Sequence, residues 1–178
     1  DTPITKNGEK IAEKAINKLF NSGYDKIDYL YSSPLTRCIQ TSLVIQKEIK
    51  KKLGKDIKIR IEYGLVEYED PPFILRNGKF VIDSKSIYID KELSIKNIIK
   101  KFGNKFDTDY KPIIKYDKIT FDKDWLSFHN RCLRIFKKFE KKSKNENIIL
   151  TTHAGVFFPI YSYLSKKDLK FYDYGGIS

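Results

Sequence analysis

Apolar positions near the start of the chain recur at helical spacing. Ile11, Ala15, Ile16, Leu19 and Phe20 share one face of a helix predicted over about 6–21. Thr5 precedes it as a side-chain cap, because its hydroxyl can accept from an otherwise unpaired first-turn amide, and Gly23 suits its end. A short strand is predicted at 27–31. Ser33 and Pro34 then stand where a cap and a first helical residue belong, opening a helix that runs to about Leu53 and stops at Gly54. The pattern next switches to strict alternation over 57–61 (Ile57, Ile59 and Ile61 separated by Lys58 and Arg60), a half-buried strand. Between Glu67 and Phe121 the periodicity weakens. Pro71-Pro72, Asn77-Gly78 and Gly103 mark turns, and apolar runs such as Phe80-Val81-Ile82 and a short helix near 93–102 interrupt them. This segment, near 68–121, is expected to be an insertion laid over the main sheet. A long helix follows over about 123–142, with Trp125, Phe128, Leu133, Phe136 and Phe139 on or near one face. A buried strand is predicted at 147–152, then a helix from His153-Ala154-Gly155 through Leu164.

Strands alternating with helices predict an α/β three-layer αβα sandwich with a mainly parallel sheet, folded as a single domain over 1–178. The chain has 178 residues, with a 40% hydrophobic and 14% aromatic share, enough to build its own core. No run approaches the roughly 18 apolar residues that would span a bilayer. Its two cysteines, Cys38 and Cys132, lack the spacing of a zinc site and are too few for a disulfide framework. A soluble, reduced, cytoplasmic protein is the expectation, with no membrane partner. The chain contains no methionine, which points to residues ahead of Asp1.

The net charge of +12 raises the question of nucleic acid. Lysines, however, far outnumber the five arginines (Arg37, Arg60, Arg76, Arg131 and Arg134), and bidentate readers of phosphate and base edges favour arginine. Nucleic-acid binding is therefore not expected, and a mild preference for anionic substrates is. Lys50-Lys51-Lys52 and the lysines at 137, 138, 141 and 142 read as solvated helix faces.

Two strand-to-helix turns carry the candidate chemistry. Ser32-Ser33-Pro34-Leu35-Thr36-Arg37 places Arg37 in the first turn of its helix, and Thr151-Thr152-His153-Ala154-Gly155 places His153 just past a strand. In open α/β sheets ligands bind beyond the carboxyl ends of strands, where helix N-termini favour anions. A guanidinium and an imidazole converging there make a phosphate pocket: Arg37 offers bidentate contacts, and His153 can donate a hydrogen bond and hold positive charge. On position alone each residue more often has an ordinary role, packing for a histidine after a strand and surface for an arginine at a helix N-terminus. A cation at a helix N-terminus opposes the dipole, which favours a functional reading of Arg37.

These segments carry a resemblance. Tyr31-Ser-Ser-Pro-Leu-Thr-Arg-Cys-Ile-Gln-Thr41 resembles the S-S-P-L-x-R-x-x-Q-T element of the histidine phosphatase superfamily, the phosphoglycerate-mutase-like fold. Asp1-Thr-Pro-Ile-Thr-Lys-Asn-Gly8 is similar to that family's D-x-P-L-T-x-x-G helix entry, and Thr151-Thr-His-Ala-Gly155 to the element around its second histidine. Within the superfamily the chain resembles the tyrosine and steroid-phosphate phosphatases found in UBA/SH3-containing proteins. There Gly64-Leu-Val-Glu-Tyr68 is similar to G-L-F-E-W, and Tyr110-Lys-Pro112 to a Y-R-P in the branch's insertion.

The resemblance implies a phosphomonoester phosphatase acting through a phosphohistidine, with no cofactor and no metal. By the same resemblance Arg37 would clamp phosphate oxygens and His153 would bind the phosphoryl group beside Ala154. Glu67 would be the general acid, although Glu62 and Glu69 stand close by and a solvent-facing loop acid is the competing reading. The family's nucleophile lies in an Arg-His-Gly element ahead of the D-x-P-L-T segment, and no Arg-His-Gly occurs in the sequence. It is expected upstream of residue 1, as a further strand is expected beyond Ser178. His129, inside a helix, is not expected to replace it. The substrate would be a phosphorylated small molecule or a phosphopeptide, and a homodimer would be compatible with the resemblance. The alternatives are a mutase-type phosphotransferase (an isomerase, disfavoured because 64–72 lacks the mutases' arginine) and a non-catalytic phosphate-binding scaffold.

Overall fold

The computed structural model describes residues 2–68, 93–116, 122 and 124–166, together with the backbone of strands at 73–76 and 79–82. Asp1, Glu69, the turns at 71–72 and 77–78, and the expected C-terminal strand lie outside the described residues.

Helix α1 (Lys6–Asn21) begins at Thr5, whose Oγ1 accepts from the Gly8 amide at 3.1 Å. Its buried stripe is Ala12, Ile16 and Phe20; Ile16 and Phe20 lie on the predicted face, Ala15 and Leu19 flank it half-buried, and Ile11 is 44% exposed. The i, i+4, i+8 row is the one that lies along α2 (Thr36–Leu53). Gly54 ends α2 in the left-handed region (φ 68°), where its amide returns to the Lys50 carbonyl. Strand β1 (Tyr29–Ser32) precedes α2. Strand β2 (Ile59–Ile61) follows it and leads into a single 3-10 turn, Tyr63–Leu65. A hairpin of β3 (Phe73–Arg76) and β4 (Lys79–Ile82) comes next, then α3 (Ile95–Phe102) and α4 (Trp125–Ser143). Strand β5 (Ile148–Thr151) and helix α5 (Ala154–Ser165) complete the order.

β1 lies between β2 and β5 in a parallel sheet, with Leu30 beside Ile59 and Ile149, and Ser32 beside Ile61 and Thr151. Because successive side chains point to opposite faces, the sheet divides two cores. Leu30, Ile59 and Ile61 pack with Ile16, Phe20, Ile39 and Ile49 of α1 and α2, and with Ile98 of α3. Tyr31 packs on the other side with Phe128, Cys132, Ile135 and Phe139 of α4 and Val156 and Ile160 of α5. The result is the α/β three-layer sandwich the pattern predicts. On α4 the inward row is Phe128, Cys132, Ile135 and Phe139 (i, i+4, i+7, i+11), while Trp125 is 50% exposed and Leu133 and Phe136 only half-buried.

One further expectation is corrected: β5 is half-buried rather than buried, and among the described residues it pairs only with β1. In the described part of the 68–121 segment the short helix expected near 93–102 is α3, which packs Ile98 against the sheet, and Phe106 makes a parallel bridge to Ile59 at the edge beyond β2. No described helix is long and apolar enough to cross a membrane.

Candidate active site

The carboxyl ends of three parallel strands meet at one end of the sheet. Backbone bonds hold them in step: the Ser33 amide donates to the Thr151 carbonyl at 2.9 Å, and the Glu62 amide to the Ser32 carbonyl at 2.9 Å. Beyond β1 comes Arg37, beyond β5 His153, and beyond β2 the turn that ends in Glu67.

The chain leaves β1 through Ser32, Ser33 and Pro34, all deeply buried. Here the sequence expectation fails in an informative way. The helix starts later than predicted, with Leu35 as its capping residue and no side-chain cap. The hydroxyl of Ser33 is directed to the imidazole of His153, 2.8 Å from Nε2. On the other side of that ring the Arg37 Nε–H donates to Nδ1 at 3.2 Å. A guanidinium can only donate, so Nδ1 supplies the lone pair, and the proton of the neutral ring sits on Nε2, donated to Ser33. The two neighbours thus fix both the orientation and the tautomer of His153.

His153 is 7% exposed; burial, then the guanidiniums of Arg37 and Arg131, push its pKa down to about 3. The ring is therefore neutral at pH 7. The positive charge anticipated from the sequence is not held by the ring in these surroundings, because desolvation and two cations oppose it. Cys38 lies against the same ring, Sγ 3.4 Å from Nε2, and its thiol also faces the Thr152 carbonyl at 3.5 Å. Burial pushes the Cys38 thiol up to about 12, so it stays protonated and is no nucleophile.

Glu67 reaches the same end of the sheet. His153 occupies the N-cap position of α5 without a side-chain cap bond, which leaves first-turn amides open. The Gly155 amide donates to Glu67 Oε2 at 3.3 Å, and the Tyr68 amide to Oε1 at 2.9 Å. A carboxylate is well placed at a helix N-terminus. The approach requires glycine: a Cβ on residue 155 would overlap Glu67 Oε1 and lie 3.0 Å from Cδ. Ala154, half-buried, is the first residue of α5.

The competing acid, Glu62, has a different place. It is fully buried and accepts from the amides of Gly64, Ile113 and Ile114 (2.9, 2.7 and 3.0 Å) and from the Tyr110 hydroxyl (2.7 Å). It anchors the 107–114 segment to the end of β2. Tyr68, next to Glu67, packs against Trp125 and Phe128 with ring centroids 5.5 and 5.3 Å away, an aromatic wall with a half-exposed indole. The structure thus brings together Arg37, His153, Ala154 and Glu67. Sequence reasoning missed Ser33 as a partner of His153, and it missed Arg131, whose guanidinium acts on the same imidazole. His129 lies half-buried on α4.

Comparison with known proteins places the chain among relatives of one superfamily. Residues 1–73 match the family model of the histidine phosphatase superfamily (branch 1). The chain is 31% identical over 159 residues to ubiquitin-associated and SH3 domain-containing protein B of Mus musculus, covering 87% of this chain and 22% of that protein. It is 30% identical over 132 residues to the A protein of Homo sapiens, covering 74% of this chain and 18% of the relative. It therefore spans about a fifth of the length of these relatives. Among solved structures, the ecdysone phosphate phosphatase of Bombix mori in complex with tungstate superposes with a TM-score of 0.58 at 22% identity. That match covers 98% of this chain and 63% of the other.

Proposed function

The chain belongs to the histidine phosphatase superfamily, and from that premise we propose that it forms the catalytic domain of a metal-independent phosphomonoester phosphatase. The observation that carries the proposal is the convergence of Arg37, His153 and Glu67 at the carboxyl ends of β1, β5 and β2. One guanidinium, one N–H-bearing imidazole and one carboxylate beside open helix amides supply the groups that a phosphoryl transfer without a metal needs.

In this reading the attacking imidazole is carried by a segment preceding Asp1. The phosphoryl group passes from the substrate oxygen to that nitrogen, and the P–O bond breaks as the P–N bond forms. Arg37 holds two non-bridging oxygens in a bidentate contact. His153 exchanges Ser33 for a phosphoryl oxygen as the acceptor of its Nε2–H, and the arriving dianion favours the protonated ring that burial and the neighbouring guanidiniums disfavour. Glu67, in its acid form, gives its proton to the departing alkoxide or phenoxide. As carboxylate it then takes a proton from the water that cleaves the P–N bond. The edge of β5 away from β1, which no described strand pairs, with the apolar cleft of about 370 Å³ lined in part by Ile16, Leu19, Ile45 and Ile149, suits a further strand bearing the nucleophile. The wall of Tyr68 and Trp125 beside Glu67 suits a phosphorylated small molecule or a phosphopeptide with an aromatic leaving group.

The test is turnover of p-nitrophenyl phosphate by the full-length protein, with quenched samples analysed for a phosphoryl adduct. Turnover with an acid-labile, base-stable adduct on histidine is the expected result; no turnover and no adduct would leave a phosphate-binding relative without catalysis. A second expectation isolates Glu67. Gly155→Ala should lower kcat/KM for an alkyl phosphate roughly 10²-fold, because it displaces the acid. Its thermal midpoint should stay unchanged, since alanine is at least as good as glycine in a helix. An unchanged kcat/KM would show that the contact with Gly155 is irrelevant to the reaction.

A further inference from the structure

Between the end of β2 and Glu67 the chain turns once through Tyr63–Leu65, and the outward carbonyls of that turn are held in an unusual manner. Gly64 O accepts from Arg131 Nη1 at 2.6 Å, Leu65 O from the Thr152 hydroxyl at 3.0 Å, and Val66 O from Arg131 Nη2 at 2.9 Å. Three successive carbonyls are thus taken by side chains from α4 and from the end of β5. Arg131 is itself fixed. Its Nε and Nη2 donate to Asp122 Oδ2 at 3.0 and 2.8 Å, and its guanidinium lies 4.9 Å from the Phe128 ring centre. Both side chains of the ion pair are only about one-tenth exposed, 10% for Arg131 and 11% for Asp122. The next residue along the chain is Glu67, whose carboxylate must meet the Gly155 amide.

We propose that Arg131, oriented by Asp122, is a positioning residue for Glu67: its planar fork bridges the carbonyls on either side of Leu65 and so sets how far the acid reaches across α5. The inference rests on the proposed role of Glu67 as general acid. Only a guanidinium suits the task, since it must reach two carbonyls and a carboxylate in one plane; a lysine ammonium satisfies one or two of them from a flexible stem. The ion pair also matters to the site's charge. Asp122 offsets part of the charge of Arg131, whose guanidinium still helps to push the pKa of His153 down.

The test compares kcat/KM of the full-length protein for p-nitrophenyl phosphate, whose leaving group departs without a proton, and for an alkyl phosphate, whose leaving group needs one. Glu67→Gln, Arg131→Lys and Asp122→Asn are measured together, the last as the milder change should Arg131→Lys fold poorly. In each variant the alkyl-to-nitrophenyl ratio of kcat/KM is expected to fall at least about tenfold, a good part of what general acid catalysis contributes. If Glu67→Gln lowers the ratio while neither Arg131→Lys nor Asp122→Asn does, the positioning role is overturned and the acid assignment stands. If both substrates suffer equally in the clamp variants, Arg131 is structural only. If Glu67→Gln leaves the ratio unchanged, the acid assignment itself fails, and with it this inference.

Discussion

Arg37→Ala is expected to lower kcat/KM toward any phosphomonoester by roughly 10³-fold, more than a single neutral hydrogen-bond donor contributes, because a bidentate cation is lost. The fold should tolerate the change. Arg37 is only half-buried and sits in the first turn of α2, where the helix dipole opposes a cation, and its Nε–H bond goes to the neutral ring of His153. The variant carries a second signature in His153. Arg37 is one of the two cations that hold that imidazole's pKa down, so removing it should move the titration upward from about 3, readable by NMR. The linkage sign follows. A ring buried neutral binds fewer protons folded than unfolded, so its contribution to stability is complete above the unfolded value of about 6.5 and fades as pH falls toward the folded one. Raising the folded value shrinks that loss, and Arg37→Ala should therefore resist acid better than the parent while failing as a catalyst. Retained turnover would show that the anion is held elsewhere.

The fold was legible because its signals are local. Thr5, Gly54 and the alternation of Ile57, Ile59 and Ile61 each act through neighbours in sequence, and the start of α1, the end of α2 and β2, which takes up the last three residues of the alternation, follow from them. Arg37 and His153 were legible for a related reason, since each lies immediately after a strand and parallel strands bring their carboxyl ends together. What could not be read is whatever depends on a partner far along the chain. Ser33 has the composition of a helix cap, and only the arrival of His153, 120 residues later, claims its hydroxyl. Glu62 and Glu67 are five positions apart in one loop and chemically identical. What separates them is that the amides of Ile113 and Ile114 close over one, while the amide of Gly155 meets the other. Arg131 read as one more cation in a basic chain until α4 placed it against the carbonyls of Gly64 and Val66.

That separation of the two acids yields the largest expected effect on stability. Glu62→Ala should destabilise the protein by about 3–5 kcal/mol, because four donors, one buried and three half-buried, lose the one buried carboxylate they share, and each stranded group costs about 1–3 kcal/mol before water or relaxation recovers part of it. The Tyr110 phenol cannot compensate by ionising, since burial, which remains after the carboxylate is gone, pushes it well above its ordinary value. In a chain of this size the loss corresponds to a fall of roughly 10 °C in the thermal midpoint. Glu62→Gln should do only part of this damage. Its oxygen can serve one pair of donors, but its NH2 group must then face the other pair, and although the Tyr110 hydroxyl can turn to accept, a backbone amide cannot. The order parent, Gln, Ala in a denaturation series distinguishes this buried anchor from a surface acid, for which all three midpoints would coincide. Because the 107–114 segment is tied to the main sheet through Glu62 and the Ile59–Phe106 bridge, hydrogen exchange in Glu62→Ala should rise first at Tyr110, Ile113 and Ile114. Exchange rising uniformly instead would mean that the anchor stabilises the whole sandwich and not this segment.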